Sequence, residues 1–394
     1  MSSDRPGTIL FISHDASRTG APLFLLRFLQ WFRQNRAIPF RVLVGEPGEL
    51  VPDFEALSPV DSFEPVPTFT YRVLRRLGLN DRARSRHLAR LRSRLAQSDI
   101  RLIYSNTEVT GKILDFLSFL DCPVICHVHG LEGTIRTFGA ENMNSIKEYS
   151  SSYIAVSQAV KDNLVINHAI PGEKIRMIYG FIPTENNERQ VPAKSHSQVF
   201  QEVGIPEGAK MVCGCGSVED RKGTDLFLQV AEEVARHQNV GEVHFVWVGW
   251  NAKKGDEMKR RFNSRAKVHF IGLKQDVRPY FAAADVFLLS SREEALGLVM
   301  LEAALEGKPT VCFQEAGGAP EFVEGDAGFV IPGFDVKEMA SKVVTLLSSD
   351  ELRTKMGEAA RRKVLSRHRL DTGASKIAEI IDQALLVPTD LQNA

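Results

Sequence analysis

The chain has 394 residues, 43% of them apolar and 25% charged, with a formal net charge of zero. That length suits two globular domains, and the balanced charge argues against a general nucleic-acid binder, which carries a basic excess. No apolar run approaches the roughly 18 residues that a membrane span needs. The opening Met1-Ser-Ser-Asp-Arg-Pro-Gly7 also lacks a secretory-signal layout, so a cytoplasmic protein is expected.

In chain order, β-branched runs predict strands over Thr8–Ser13, Phe40–Val44, Leu102–Ser105, Val124–His129, Tyr153–Val156 and Ile175–Ile178. Helical patterns separate them at Leu23–Gln34, Val109–Leu120 and Gln158–Ile166, the last with Ser157 placed to cap it. Arg72–Arg94 is dense in arginine. Arg82, Arg86, Arg90 and Arg94 repeat every four residues, beside an apolar stripe of Leu88, Leu91 and Leu95. Like charges at that spacing destabilise a helix, and no acid lies between Arg82 and Gln97. The face is therefore expected to meet something anionic, either an anionic membrane surface or a lipid-pyrophosphate acceptor. A solvated face, or one paired with acids elsewhere in the fold, is the plainer alternative.

The polar stretch Pro183–Ser197 is expected to be a linker. Beyond it, strands are predicted at Met211–Cys215, Val243–Val248, Val268–Ile271, Val286–Leu289 and Thr310–Phe313. The accompanying helices are Thr224–Arg236, Asp256–Asn263, Val277–Ala284, Leu298–Glu306 and Val336–Leu347. Such alternation implies parallel sheets covered on both faces. The expected fold class is α/β, with two doubly wound Rossmann-like domains facing across a cleft. They should occupy 1–190 and 198–372, with 373–394 a C-terminal helix packing back on the first. Ligands in such sheets bind beyond the carboxyl ends of the strands.

The five cysteines, an odd number mostly within apolar runs, read as free buried thiols. Cys126, His127 and His129 invite a metal, but strand alternation puts Cys126 on the face opposite the two histidines. No metal is expected.

Two segments carry a phosphate-binding pattern. In Ser290-Ser-Arg-Glu-Glu294-Ala-Leu-Gly297-Leu-Val-Met-Leu-Glu302, a strand ends, a glycine loop follows and a helix begins. Gly297 lets backbone approach a ligand, and the first helical amides, those of Leu298 and Val299, are free for an anion. Glu302 is placed for a ribose diol and Glu294 for whatever lies beyond the phosphates. In Gly214-Cys-Gly216-Ser217-Val-Glu219-Asp-Arg221-Lys222-Gly223, Arg221 and Lys222 flank another strand-to-helix loop. Glu219 stands where a dinucleotide fingerprint has its third glycine, and it would repel a pyrophosphate. A Lys-Gly pair at a helix start suits a terminal diphosphate better.

Together these segments resemble the C-terminal half of glycosyltransferase family 4, of the two-Rossmann GT-B architecture. Glu294 and Glu302, with seven residues between them, are similar to that family's Glu-x7-Glu signature. The resemblance implies that Glu294 contacts the donor sugar, Glu302 the ribose and Lys222 the diphosphate. Gly272, within Val268–Val277, looks like the backbone segment that holds the base, and Gly317–Glu321 and Gly328–Pro332 extend the likeness. Members often carry an Arg a few residues before the Lys. Ser217 stands there in this chain, leaving Arg221 to supply the charge.

In the N-terminal half, His14–Pro22 resembles the family's glycine loop near donor and acceptor, with Gly20-Ala21 in place of Gly-Gly, which implies that Gly20 and Ala21 contact the donor. His129, just before Gly130, matches the histidine that the family places near the transferred sugar. The resemblance implies a retaining glycosyltransferase moving sugar from a nucleoside-diphosphate sugar to an acceptor hydroxyl, in polysaccharide or glycolipid assembly. Its expected place is the cytoplasm or the inner face of the membrane. The chain contains no Asp-x-Asp, so no metal cofactor is implied. The alternatives are a nucleotide-sugar epimerase and a non-catalytic nucleotide-sugar binder of the same fold, with a dehydrogenase more distant.

Overall fold

A computed structural model describes residues 7–65, 80–184, 194–262 and 265–386. The chain divides into two compact units, Met1–Ile178 with Leu370–Ala394, and Tyr179–Arg369. Each is an α/β layer structure around one parallel sheet.

In the first unit, β1 (Thr8–Asp15), β2 (Phe40–Glu46), β3 (Val60–Ser62), β4 (Ile100–Ser105), β5 (Val124–Val128), β6 (Ser152–Ala155) and β7 (Ile175–Met177) pair in the order β3-β2-β1-β4-β5-β6-β7. Every pairing is parallel. Strands covered on both faces must be apolar along their length, and Ile9–Ile12 and Leu102–Tyr104 are buried throughout. The helix Gly20–Asn35 lays Phe24, Phe28 and Phe32 on this sheet. Phe28 and Phe32 pack their rings with Phe11, 6.0 and 5.8 Å away, each buried aromatic contributing about 1.5–3 kcal/mol. The C-terminal helix Leu370–Leu386 belongs to this unit. Trp31 Nε1 donates to Asp371 at 3.0 Å, and Arg36 pairs with Asp382 at 3.4 Å. This helix begins before residue 373, and 387–394 lie outside the described residues.

The second unit contains β8 (Lys210–Cys215), β9 (Val243–Val248), β10 (Lys267–Phe270), β11 (Val286–Leu289), β12 (Thr310–Phe313) and β13 (Gly328–Ile331). Their order is β10-β9-β8-β11-β12-β13, again parallel throughout. In both sheets the order reverses beside the first strand, between β1 and β4 and between β8 and β11. Those reversals are where doubly wound sheets open a crevice.

The crossing between units at Ile178 and Tyr179 precedes the polar stretch expected to be the linker. Of that stretch, 185–193 lie outside the described residues. Ser195 is no linker residue: it caps the helix His196–Val203 through a reciprocal box with Gln198.

The arginine-rich helix spans Asn80–Ala96, and the part of the stretch before residue 80 lies outside the described residues. Arg94 departs from the expectation for its face. Its guanidinium meets buried Asp61 on β3 at 2.9 Å, and Arg41 holds the other Asp61 oxygen at 2.7 Å. Arg84 pairs with Glu64 at 2.7 Å. Arg82, Arg86 and Arg90 are exposed, with no ion pair among the described residues.

Candidate functional site

The loops after β8 and β11 meet at the reversal point of the second sheet. Gly223 has φ 60°, and a Cβ there would overlap the Ser290 carbonyl, so only glycine lets the two loops touch. Arg292 ties them together. It chelates Asp225 at 2.7 and 2.6 Å and donates to the Asp220 carbonyl at 2.8 Å, while its own amide reaches the Arg221 carbonyl at 2.8 Å. Nothing local in the sequence marks Arg292, whose partner lies 67 residues away.

This frame brings Lys222 Nζ to 2.5 Å from Glu294 Oε2. Ser291 Oγ donates to the same oxygen at 3.3 Å. Glu294 is fixed along its backbone as well: its amide donates to Ala316 at 2.5 Å, and its carbonyl accepts from Gly318 at 2.9 Å. Burial pushes the Glu294 carboxyl up, but the charges of Lys222 and Arg221 and the bonds from Lys222 and Ser291 outweigh it, leaving the pKa below the ordinary value. Glu294 is thus an anion set beside a cation.

Gly297 caps the helix Leu298–Leu305 at φ 90°. The amides of Leu298 and Val299 find no backbone acceptor among the described residues, which is the condition for binding an anion. Glu302 is half-buried one turn in. The Cys215 thiol at the end of β8 is pushed up to about 12, first by burial and then by Glu302, with Glu294 adding and Lys222 opposing. Lys222, Glu294 and Glu302 therefore converge on the end of β8.

Arg221 points partly elsewhere, with Nη2 3.0 Å from Glu219 and Nη1 3.2 Å from the Glu293 carbonyl. Gly272 has φ 72°, and its carbonyl accepts from Gly249 at 3.0 Å. Gly249 carries no local sequence signal of its role. Its φ is 146°, and a Cβ there would overlap the Gly216 carbonyl, so the ends of β8, β9 and β10 close up through glycines.

In the first unit, Gly20 is exposed and Ala21 half-buried at the start of the first helix. His129 follows β5. Its ring packs 4.9 Å from Phe24 and 4.1 Å from His127. Burial, then the neighbouring His14, lower its pKa to about 3, so the imidazole is neutral. His127 is fully buried, its Nδ1 2.6 Å from Tyr104 Oη. Cys126 Sγ faces the Thr107 carbonyl at 3.6 Å, away from this pair. Among the described residues, no three ligating side chains are grouped to hold a metal.

Two parallel sheets of reversed strand order, with glycine loops at their carboxyl ends and paired charge in the second unit, have the two-Rossmann GT-B architecture. The family model Glycosyltransferase Family 4 matches residues 19–186, and Glycosyl transferases group 1 matches 209–349. The chain thus carries a Glycosyltransferase Family 4 domain followed by a Glycosyl transferases group 1 domain. It is 26% identical over 262 residues to N-acetyl-alpha-D-glucosaminyl L-malate synthase of Bacillus anthracis, covering 65% of this chain and 67% of that one. It is 25% identical over 251 residues to D-inositol 3-phosphate glycosyltransferase of Corynebacterium kroppenstedtii, covering 61% of this chain and 55% of the other. The chain thus spans about half to two thirds of these curated relatives. HepE of Anabaena, solved with UDP and glucose, superposes with a TM-score of 0.77 at 22% identity, over 95% of this chain and 99% of that one. That likeness establishes the fold.

Proposed function

We propose that this protein transfers a glycosyl group from a nucleoside-diphosphate sugar to an acceptor hydroxyl, with retention of anomeric configuration, in polysaccharide or glycolipid assembly. The observation that carries the reading is the Lys222–Glu294 pair, 2.5 Å apart and locked between two loops at the reversal point of the second sheet. Lys222, the Leu298 and Val299 amides and Arg221 meet the diphosphate. Glu302 takes the ribose, and backbone at Gly272 takes the base. Glu294 and His129 contact the transferred sugar and orient it as positive character develops at its anomeric carbon. The Gly20–Ala21 loop contacts the donor, close to the acceptor. Leaving-group charge is met by these side chains and amides rather than by a metal, in keeping with a sequence that lacks Asp-x-Asp. The relatives named above are glycosyltransferases by name or sugar-linking synthases, which supports the class of reaction.

Among the described residues, no helix is long and apolar enough to cross a membrane. The proposed location is cytoplasmic, at the inner face of an anionic membrane reached by exposed Arg82, Arg86 and Arg90. Thermal unfolding with UDP, GDP, TDP, CMP and NAD in turn tests the reading. A ligand at a hundred times its Kd adds about 2.7 kcal/mol. Stabilisation by one nucleoside diphosphate is the expected result, and stabilisation by NAD alone overturns it.

A further inference from the structure

Asn106, directly after β4, is fully buried and joins two parts of the first unit. Its Nδ2 donates to the Ala21 carbonyl at 2.8 Å, and its Oδ1 lies 3.2 Å from His129 Nε2. A carbonyl only accepts, so the Ala21 bond fixes which end of the amide is nitrogen. The oxygen therefore faces His129, and Nε2 must carry a proton to donate to it. With the ring neutral, Nδ1 keeps its lone pair, and no described residue bonds to it. The backbone is clamped too. The His129 amide donates to buried Glu108 at 3.0 Å, and a Cβ on Gly130 would overlap that carboxylate.

We propose that Asn106 is a positioning residue for glycosyl transfer: it sets the Nε2–H tautomer of His129, turns Nδ1 into an acceptor for a sugar hydroxyl, and ties this imidazole to the Gly20–Ala21 loop. The inference rests on the transferase reading above for its reaction, but not for its tautomer. His129 then accepts a hydrogen bond from a hydroxyl and supplies no proton. Its ring plane is held by Phe24 and His127, so the tautomer is the one freedom left to it. Asn106 removes that freedom.

Long-range proton–nitrogen correlation spectra of histidine-labelled protein, without ligand at pH 7, read the tautomer directly, with His129→Gln assigning the signal. Wild type should show Nε2–H. Asn106→Ala should give mixed tautomers at His129, with kcat lowered tenfold or more and donor KM changed less than threefold. Asn106→Asp keeps the acceptor but cannot donate to Ala21. It should retain Nε2–H while kcat still falls, which separates the two links. An Nδ1–H ring in wild type overturns the inference whatever the turnover, as does Asn106→Ala with tautomer and kcat unchanged. If Asn106→Ala fails to fold, the wild-type and Asp spectra still decide. An Nε2–H ring in a protein that turns over no nucleotide sugar overturns the transferase reading instead.

Discussion

Acid should destabilise the first unit through His129, by an amount the structure sets. An unfolded histidine titrates near 6.5, whereas His129 in the fold is held down to about 3 by burial and by His14. The unfolded chain therefore binds the proton more readily. The stabilisation is fully present above pH 6.5 and is lost progressively as pH falls towards 3. At pH 5.0 the unfolded ring is about 97% protonated and the native one neutral, so linkage removes about 2 kcal/mol relative to pH 7.5. The figure is an upper one, since part of the ring reaches solvent. For a domain of this size 1 kcal/mol moves Tm by roughly 2–4 °C, giving a shift of about 4–8 °C. The assay is scanning calorimetry of wild type and His129→Gln at both pH values. Other depressed histidines, such as His269, whose pKa burial first and then His244 bring to about 4, remain in both proteins and cancel in the double difference. The variant should lose several degrees less than wild type between pH 7.5 and 5.0. Equal losses in the two proteins would refute the argument.

Other substitutions probe the remaining assignments. Glu294→Ala should lower turnover by orders of magnitude while nucleoside-diphosphate affinity, read by calorimetry, is kept or tightened, because Lys222 loses its competitor. Gly223→Ala should lower the second unit's stability by about 1–3 kcal/mol in urea denaturation, since a left-handed φ and the Ser290 carbonyl both oppose a Cβ. Asp61→Asn should cost about 3 kcal/mol, the low end for breaking a buried ion pair, because both its arginines reach solvent. Replacing Arg82, Arg86 and Arg90 by Gln should weaken binding to phosphatidylserine-containing liposomes about 100-fold, at about 1 kcal/mol per charge. Unchanged co-sedimentation removes the membrane proposal.

Strands were legible where burial on both faces demands an unbroken apolar run, as in Val243–Val248, Val286–Leu289 and Thr310–Phe313, which the structure bounds at the expected residues. Three-residue β3 was not, because Val-Asp-Ser hides a buried acid whose partners sit on β2 and a distant helix. Nor was the helix Asp350–Arg367, whose buried side includes Lys363, satisfied by the Phe322 carbonyl at 2.9 Å. The candidate site divides similarly. Glu294, Gly297 and Glu302 share one loop and helix, so spacing alone exposes them. Asn106 and Arg292 act through partners 85 and 67 residues away, and nothing local marks either.

The charge pairing also bears on the missing arginine at Ser217. Each cation of the two loops is matched before any ligand arrives: Arg221 by Glu219, Arg292 by Asp225 and Lys222 by Glu294. The pairs differ in what releasing them costs. Arg221 and Glu219 keep 39% and 42% of their side chains exposed, and such pairs hold less than about 1 kcal/mol. Arg221 can therefore turn from Glu219 to a phosphate with little loss. Lys222 and Glu294 keep only 14% and 12% exposed, where screening is weak and separation costs more. A diphosphate alone that draws Lys222 away leaves Glu294 a buried, unmatched carboxylate. A diphosphate carrying its sugar brings hydroxyls that donate to that carboxylate as the lysine leaves. On the proposed reading, full engagement of Lys222 thus depends on the sugar being attached, and the pair favours the intact donor over the spent nucleotide.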